Sequence, residues 1–509
     1  MPPIGRVALV GAGPGDPGLI TLAGVRCLRS ADVVLYDYLA NAELLAHAPA
    51  QAERICLGRH GAGKLWKQSE ISARMVAEAL AGNSVVRLKG GDPGVFGRLA
   101  EEVAACREAG VPFQIVPGVT TAIAAGAYAG VTLTDRDRAS CLTLVTGHEQ
   151  PGKDAELVID FESLAATPGT LVVYMGVTTA PEWSTRLIAG GRSTDTPVTL
   201  VRRCSLPDQS ITRCTLGEVP TVLAPQRVRP PLVAIVGEVA EPTSVADWFT
   251  KRPLFGRTVL LTRPAGQADA TADRLTELGA RVLRQPAITI EPLDDPSALD
   301  AAIERLAAFD WVVFSSRNGV DAVMRRLAQR GRDARAFGSA KIAAVGRVTS
   351  AALADWRLTA DATPASFHAD ALGALLAQQP AARRFLLVRA SRGRAALAEM
   401  LAAAGAEVEQ VVAYDSRDVP SADEVVLAEL AAGGVDWIVV TSSAIARSSM
   451  RIFNDAITGA PRRPRFAAIS PITAGALAEA GATADAIADP HTGEGLVAAI
   501  LEAESGTAD

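Results

Sequence analysis

The sequence predicts an α/β protein in two halves, the second of which carries an internal repeat. Apolar runs of strand length alternate with stretches of helical period along the whole chain. Composition changes near residues 240–256, where Glu241-Pro242-Thr243-Ser244 and Lys251-Arg252-Pro253 break the strand–helix series. Beyond that break, short fragments recur at a fixed spacing. With 509 residues the chain is also too long for a single hydrophobic core.

In the first half, strands are expected at 7–10, 33–36, 85–88 and 114–116, and helices at 19–29, 70–81 and 99–108. In the second half, Leu260-Leu261-Thr262-Arg263 returns as Leu386-Leu387-Val388-Arg389. Gly279-Ala280-Arg281-Val282 returns as Gly405-Ala406-Glu407-Val408, and Asp310-Trp311-Val312-Val313 as Asp436-Trp437-Ile438-Val439, all displaced by 126 residues. Ala343-Ala344-Val345 and Thr349 recur at a displacement of 124, as Ala467-Ala468-Ile469 and Thr473. A constant displacement over separate segments implies two similar α/β lobes, with the cleft between them as the natural ligand site.

Composition narrows the function. No apolar run approaches the ~20 residues of a membrane span, and Met1-Pro2-Pro3-Ile4-Gly5-Arg6 carries no signal-peptide pattern, so a cytoplasmic protein without membrane contact is expected. The 6 cysteines have no CxxC spacing and the 5 histidines do not cluster, so no metal site is expected. A net charge of −6 argues against nucleic acid as partner but leaves room for an acidic small molecule. Two basic clusters could meet one: Arg59, His60, Lys64 and Lys67, and then Arg87, Lys89 and Arg98. The alternative for both is a solvated surface.

Two glycine turns follow strands of the first half. Gly11-Ala12-Gly13-Pro14-Gly15-Asp16-Pro17-Gly18 comes after the first, and Lys89-Gly90-Gly91-Asp92-Pro93 ends the strand at 85–88. Glycines at such places let the backbone approach a ligand, and loops at the carboxyl ends of strands are where α/β sheets bind one. The dinucleotide fingerprint GxGxxG fails here, because Asp16 stands where its last glycine belongs.

Together with Val33-Val34-Leu35-Tyr36-Asp37, Val95-Phe96-Gly97-Arg98, Val116-Pro117-Gly118-Val119-Thr120, Val145-Thr146-Gly147-His148 and Val173-Tyr174-Met175-Gly176, these turns make residues 4–240 resemble the tetrapyrrole methylases. Within that family the nearest likeness is to uroporphyrinogen-III C-methyltransferase. The resemblance implies two α/β lobes around S-adenosylmethionine, released as S-adenosylhomocysteine, and a homodimer formed through this half. It places Pro14, Gly90, Gly91, Asp92, Val95, Thr120, Thr121 and Met175 against the methyl donor, with Cys204 beside it. It gives Asp37 proton handling, Arg98 the anchoring of an acidic tetrapyrrole, Glu101 the orientation of that arginine, and Arg59 a substrate contact. The chain departs from the family pattern at Arg59 (usually lysine), Leu99-Ala100 (usually Gly-Gly), Asp135 and Arg203-Cys204-Ser205.

No nucleophile–base pair or metal site stands out in residues 255–505. Hydroxyls instead gather at strand ends: Ser315 and Ser316, then Thr441, Ser442 and Ser443, then Ser470 and Thr473; Arg263 and Arg389 end equivalent strands of the repeat. Such groups near helix N-termini suit carboxylates, and serve equally as helix caps. The repeat, with Leu260-Leu261-Thr262-Arg263-Pro264, Phe314-Ser315-Ser316, Val412-Ala413-Tyr414 and Ile469-Ser470-Pro471, resembles uroporphyrinogen-III synthases. That resemblance implies two flavodoxin-like lobes with chain exchanged between them, closure of hydroxymethylbilane with inversion of its last ring, and a part for Tyr414 in assisting the departing hydroxyl. Arg263, Ser315, Ser316, Arg389, Thr441, Ser442, Ser470 and Thr473 are the expected substrate contacts. The expected layout is therefore a methyltransferase at 1–245, a linker at 246–256 and a synthase at 257–505. The rival for the last segment is a non-catalytic two-lobed binding module.

Overall fold

A computed structural model describes residues 4–58, 66–148, 159–224, 228–241, 248–264, 266–267, 269–364, 369–379, 383–392 and 396–506. The chain divides into two units, Met1–Gly256 and Arg257–Asp509.

The first unit opens with β1 (Arg6–Gly11), β2 (Val33–Tyr36), β3 (Glu53–Cys56), β4 (Ser84–Lys89) and β5 (Phe113–Val116). They form one parallel sheet in the order β3-β2-β4-β1-β5. A parallel strand is covered on both faces and therefore reads as an unbroken apolar run. In β1, Ala8 and Val10 face one core with Val34, Val86 and Leu88, while Val7 and Leu9 face another with Ile71, Met75 and Cys106. The covering helices are α1 (Leu22–Arg29), α2 (Gln68–Leu80) and α3 (Leu99–Glu108). The expected helix at 19–29 starts late because Thr21 caps α1 and a short 3-10 turn, Pro17–Leu19, precedes it. Strand β3 escapes the sequence pattern because Glu-Arg-Ile-Cys at an exposed edge carries no apolar run.

The unit's second lobe contains β6 (Leu142–Thr146), β7 (Thr170–Tyr174), β8 (Pro197–Arg202), β9 (Ser210–Thr215) and β10 (Leu232–Val236) in the order β6-β7-β10-β8-β9. Only β6 and β7 are parallel; the other pairings are antiparallel. The chain passes from the first sheet to the second through α4 (Thr121–Tyr128), whose apolar residues pack into the second lobe's core.

The second unit contains β11 (Thr258–Leu261), β12 (Arg281–Arg284), β13 (Ile288–Glu291), β14 (Trp311–Phe314), β15 (Lys341–Ala344), β16 (Arg384–Ala390), β17 (Glu407–Asp418), β18 (Trp437–Val440), β19 (Arg465–Ala468) and β20 (Ala486–Ile487). One sheet runs β12-β11-β18-β19-β20 and is wholly parallel. Renumbered within the lobe, this is the flavodoxin-like order 2-1-3-4-5. The other runs β13-β17-β16-β14-β15, with β13 antiparallel at its edge. The repeats therefore do not make separate lobes. Strands β11 and β12 of the first repeat join β18 and β19 of the second, while β14 and β15 join β16 and β17. The crossing segments pair with each other: Ile288 lies opposite Asp418 and Glu291 opposite Asp415. Among the described residues no helix is long and apolar enough to cross a membrane, and no cluster of side chains has the makings of a metal site.

Candidate active sites

The two glycine turns lie side by side at the carboxyl ends of β1 and β4. Gly13 N–H donates to the Gly91 carbonyl (3.2 Å), Gly91 N–H to the Gly13 carbonyl (2.8 Å), and Ala12 N–H to the Lys89 carbonyl (2.7 Å). A third loop closes against them after β5. A Cβ on Gly118 would stand 2.3 Å from the Gly91 carbonyl oxygen, and one on Gly11 2.5 Å from Gly118 nitrogen. Gly13 (φ +75°) and Gly91 (φ +69°) adopt backbone that L side chains rarely enter. Any side chain at Gly91 would head toward Thr120 and Thr121 at the start of α4.

The expected donor contacts divide by what the fold has done with them. Asp92 spends its carboxylate on the loops: Oδ1 accepts from Gly94 N–H (2.7 Å) and Oδ2 from Gly118 N–H (2.9 Å). The Thr120 hydroxyl lies 2.7 Å from the Tyr174 phenol, which also accepts from Ala122 N–H at 2.7 Å. Met175 is half exposed at φ +52°. The Cys204 side chain lies in the second-lobe core, where burial pushes the thiol up to about 12; it is the Cys204 backbone carbonyl that crowds Gly15. Pro14 and Gly90 lie in the two turns themselves and Val95 just beyond the second; Pro14 and Val95 are part-exposed, and a Cβ on Gly90 would stand 2.9 Å from Leu39 Cβ.

Strained backbone concentrates here. Among the described residues six non-glycine positions have positive φ, and five are Phe96, Arg98, Met175, Arg203 and Ser205. Strain survives where surrounding structure over-determines it, and it gathers at functional sites. Arg98 caps α3 from this conformation, and its guanidinium forks onto Glu101 at 2.7 and 2.8 Å. Both side chains are about half exposed, at the rim of an apolar groove lined by Phe96, Leu99, Ala100 and Val103.

The second basic cluster is not a solvated surface. Only Arg98 is exposed; Arg87 is 2% and Lys89 3% exposed, side by side on one face of β4. Both reach Glu102 of α3, which is wholly buried. Arg87 Nε and Lys89 Nζ each lie 3.0 Å from Glu102 Oε1, and Gln68 Nε2 donates to the same oxygen at 3.1 Å. Arg87 Nη2 donates to Asp37 Oδ1 at 2.7 Å, fixing that carboxylate at the end of β2. Burial and the neighbouring Arg87 charge hold the Lys89 ammonium below the usual lysine range. The signal was present in Val85-Val86-Arg87-Leu88-Lys89: charges two apart in a central parallel strand share a buried face and need counter-charges. Arg59, His60 and Lys64 lie outside the described residues. Asp135 closes a small bridge with Ala139.

In the second unit the cap alternative is what the hydroxyls realise. Ser316, Ser442 and Ser470 each begin a helix, accepting from Gly319, Ile445 and Thr473 N–H at 3.1, 3.2 and 3.3 Å. Thr473 is buried against Ser470, and Ser315 donates to the Val388 carbonyl. Ser316 does more than cap, because its Oγ lies 2.9 Å from the Tyr414 phenol oxygen. Burial raises the Tyr414 pKa, against smaller opposing contributions from Ser316 and Asn318, so the phenol stays protonated and able to donate. Burial, and after it the like charge of Arg317, lower the Arg263 pKa, and an anion here would relieve both. Arg389 Nη1 donates to Gln410 Oε1 (3.0 Å), while its buried Nε has no partner among the described residues. Thr441 ends its strand part-exposed.

Comparison with known proteins makes these the sites of a bifunctional enzyme of tetrapyrrole biosynthesis, a methyltransferase followed by a synthase-type enzyme. Residues 6–220 match the tetrapyrrole (corrin/porphyrin) methylases and residues 269–498 match uroporphyrinogen-III synthase HemD. The porphyrin biosynthesis protein HemD of Ruminiclostridium josui is 34% identical over 440 residues, 86% of this chain and 87% of the relative. The uroporphyrinogen-III C-methyltransferase of Bacillus subtilis is 36% identical over 340 residues, 67% of this chain and 69% of the relative. A crystal structure of uroporphyrin-III C-methyl transferase from Thermus thermophilus, complexed with S-adenyl homocysteine, is 41% identical. It covers 46% of this chain and 98% of its own, with a TM-score of 0.40. The chain belongs to the family of tetrapyrrole methylases fused to uroporphyrinogen-III synthases.

Glu102→Gln removes the shared counter-charge of Arg87 and Lys89. Breaking a buried ion set in this way costs about 3–5 kcal/mol, so urea denaturation of the variant is expected to show the first unit destabilised by that amount.

Proposed function

We propose that the chain closes hydroxymethylbilane to uroporphyrinogen III, with inversion of ring D, and then methylates it twice from S-adenosylmethionine to precorrin-2, on the sirohaem or cobalamin branch. The layout is a methyltransferase at 1–245, a linker at 246–256 and a synthase at 257–505, acting in the cytoplasm as a homodimer joined through the first half. The observation that carries the reading is the side-chain-free meeting of Gly11, Gly91 and Gly118: a Cβ on Gly11 or Gly118 would strike the backbone of the neighbouring loop, and one on Gly91 would point toward Thr120 and Thr121, where a donor would lie.

In the first half, Pro14, Gly90, Gly91, Val95, Thr120, Thr121 and Met175 would hold the donor, with Asp92 bracing their loops and Cys204 contributing through its backbone. S-adenosylmethionine supplies an electrophilic methyl group for an electron-rich pyrrole carbon. The residues align carbon and methyl, which is worth several kcal/mol in well-oriented reactions. Asp37, fixed by Arg87, takes up the proton lost from the ring. Arg98, steadied by Glu101, binds tetrapyrrole carboxylates, a task a guanidinium performs better than proton transfer. Arg59 contacts the same substrate.

In the second half, Arg263, Arg389, Ser315, Ser316, Thr441, Ser442, Ser470 and Thr473 surround the acidic linear tetrapyrrole, with helix N-termini behind the three serine caps receiving carboxylates. The neutral Tyr414 phenol donates to the departing hydroxyl, and the contacts around the chain steer the ring that forms.

Purified protein given hydroxymethylbilane and S-adenosylmethionine is expected to yield a tetrapyrrole two methyl groups heavier than uroporphyrinogen III by mass spectrometry. Asp37→Ala should stop at uroporphyrinogen III while binding S-adenosylhomocysteine within a few-fold of the parent. If it lost donor binding in proportion to activity, Asp37 would be a donor contact instead. Tyr414→Phe should slow cyclisation ~10–100-fold, the cost of one hydrogen bond of ~1.5–3 kcal/mol. Complete inactivity in a folded variant would assign acid chemistry to this phenol.

A further inference from the structure

The chain leading out of the first unit does not run free into the second. Trp248 and Phe249 flank the ring of Tyr128, with centroids 5.3 and 4.6 Å away. Trp248 Nε1 donates to the Ala127 carbonyl at 2.8 Å, and Phe249 is 1% exposed within the second-lobe core. The Arg252 guanidinium carbon lies 3.9 Å from the centre of the Phe249 ring, and Phe255 meets the same ring edge-on at 5.5 Å.

Tyr128 is the last residue of α4, the helix that begins at Thr121. Its phenol donates to Asp16 Oδ2 at 2.8 Å, across 112 residues of chain. Asp16 closes the first glycine turn. Its Oδ1 accepts from Gly18 N–H at 2.8 Å, and its own N–H donates to Ser205 Oγ at 2.9 Å. The Asp16 carboxylate lies near enough to favour the Arg252 charge, against the larger effect of burial. Gln209 holds Tyr128 from behind, donating to its carbonyl at 3.0 Å. One phenol thus connects the loop at 11–16, the helix under Thr120 and Thr121, and residues 248–255.

We propose that Tyr128 and residues 248–252 are positioning residues for the methyl donor: they hold the Pro14–Asp16 turn in place through the Tyr128–Asp16 hydrogen bond, which makes the segment entering the second unit a working part of the donor site. This rests on the reading that the loop at 11–16 receives S-adenosylmethionine. A glycine- and proline-bearing turn without this anchor samples other conformations, and only the fraction in the binding-competent one contributes to affinity. The aromatic clamp keeps the phenol in line; the hydrogen bond to a carboxylate delivers the restraint.

The test uses the full chain. Calorimetric binding of S-adenosylhomocysteine is compared for the parent, Tyr128→Phe, which keeps the ring packing and removes the hydroxyl, and Trp248→Ala, which loosens the clamp. Donor KM, kcat, hydroxymethylbilane closure and thermal melting are measured alongside. The expected result is a Kd and donor KM raised about 10-fold or more in Tyr128→Phe, in a variant that still folds and closes hydroxymethylbilane at the parent rate, with the effect falling on KM rather than on kcat. Trp248→Ala should move Kd in the same direction. Donor affinity unchanged in Tyr128→Phe would overturn the proposal, since a purely packing role leaves that variant neutral. Absence of binding by the parent would overturn the underlying donor-site reading, and with it this inference.

Discussion

A Cβ on Gly118 would stand 2.3 Å from the carbonyl oxygen of Gly91, and that distance governs the first unit. Three strands of one parallel sheet bring their carboxyl ends together, and three loops leave them at a spacing that no side chain permits. Everything nearby serves to keep the loops there. Asp92 ties its own loop to Gly118, and Gly13 and Gly91 exchange backbone hydrogen bonds. Phe96 leans across to Tyr174, with ring centroids 5.0 Å apart, and so connects the β4 loop to the second lobe. The strain at Phe96, Arg98 and Met175 is sustained by this mutual bracing, because loops fixed at both ends cannot relax into ordinary backbone.

Beneath the loops lies a second constraint, electrostatic rather than steric. Arg87 and Lys89 occupy a strand that has helices on both faces, so their charges cannot reach water. Glu102 answers both, and Arg87 extends the set to Asp37 at the surface of the site. The arrangement converts a mobile carboxylate into one with a fixed direction. Glu102 Oε2, buried and without a partner among the described residues, leaves the set short of one hydrogen bond. Buried ion sets are seldom a source of stability compared with apolar packing, so its value lies in orientation.

The second unit meets its ligand problem differently. It offers helix N-termini, desolvated arginines and one buried phenol, arranged on sheets that each borrow strands from both repeats. The exchange has a physical consequence. Because β13 and the end of β17 pair antiparallel where the chain crosses, the two sheets are joined by two strands hydrogen-bonded to each other. Ile288 stands where the repeat would place the counterpart of Tyr414, so the pseudo-symmetric frame carries its phenol on one side only.

Local chemistry determined much of this in the sequence itself. Parallel strands announced themselves as apolar runs because both their faces are covered, the glycine turns because no other residue fits them, and the repeat because its displacement is constant. The helix caps at Ser316, Ser442 and Ser470 were one of two readings the residues allowed. Only tertiary structure decided which repeat pairs with which, that Glu102 is the counter-charge Arg87 and Lys89 share, that Cys204 faces the core, and that Tyr128 reaches Asp16. Each of these is a contact between segments far apart in the chain, chosen by packing and desolvation over the whole unit, and a residue's neighbours in sequence carry no record of it.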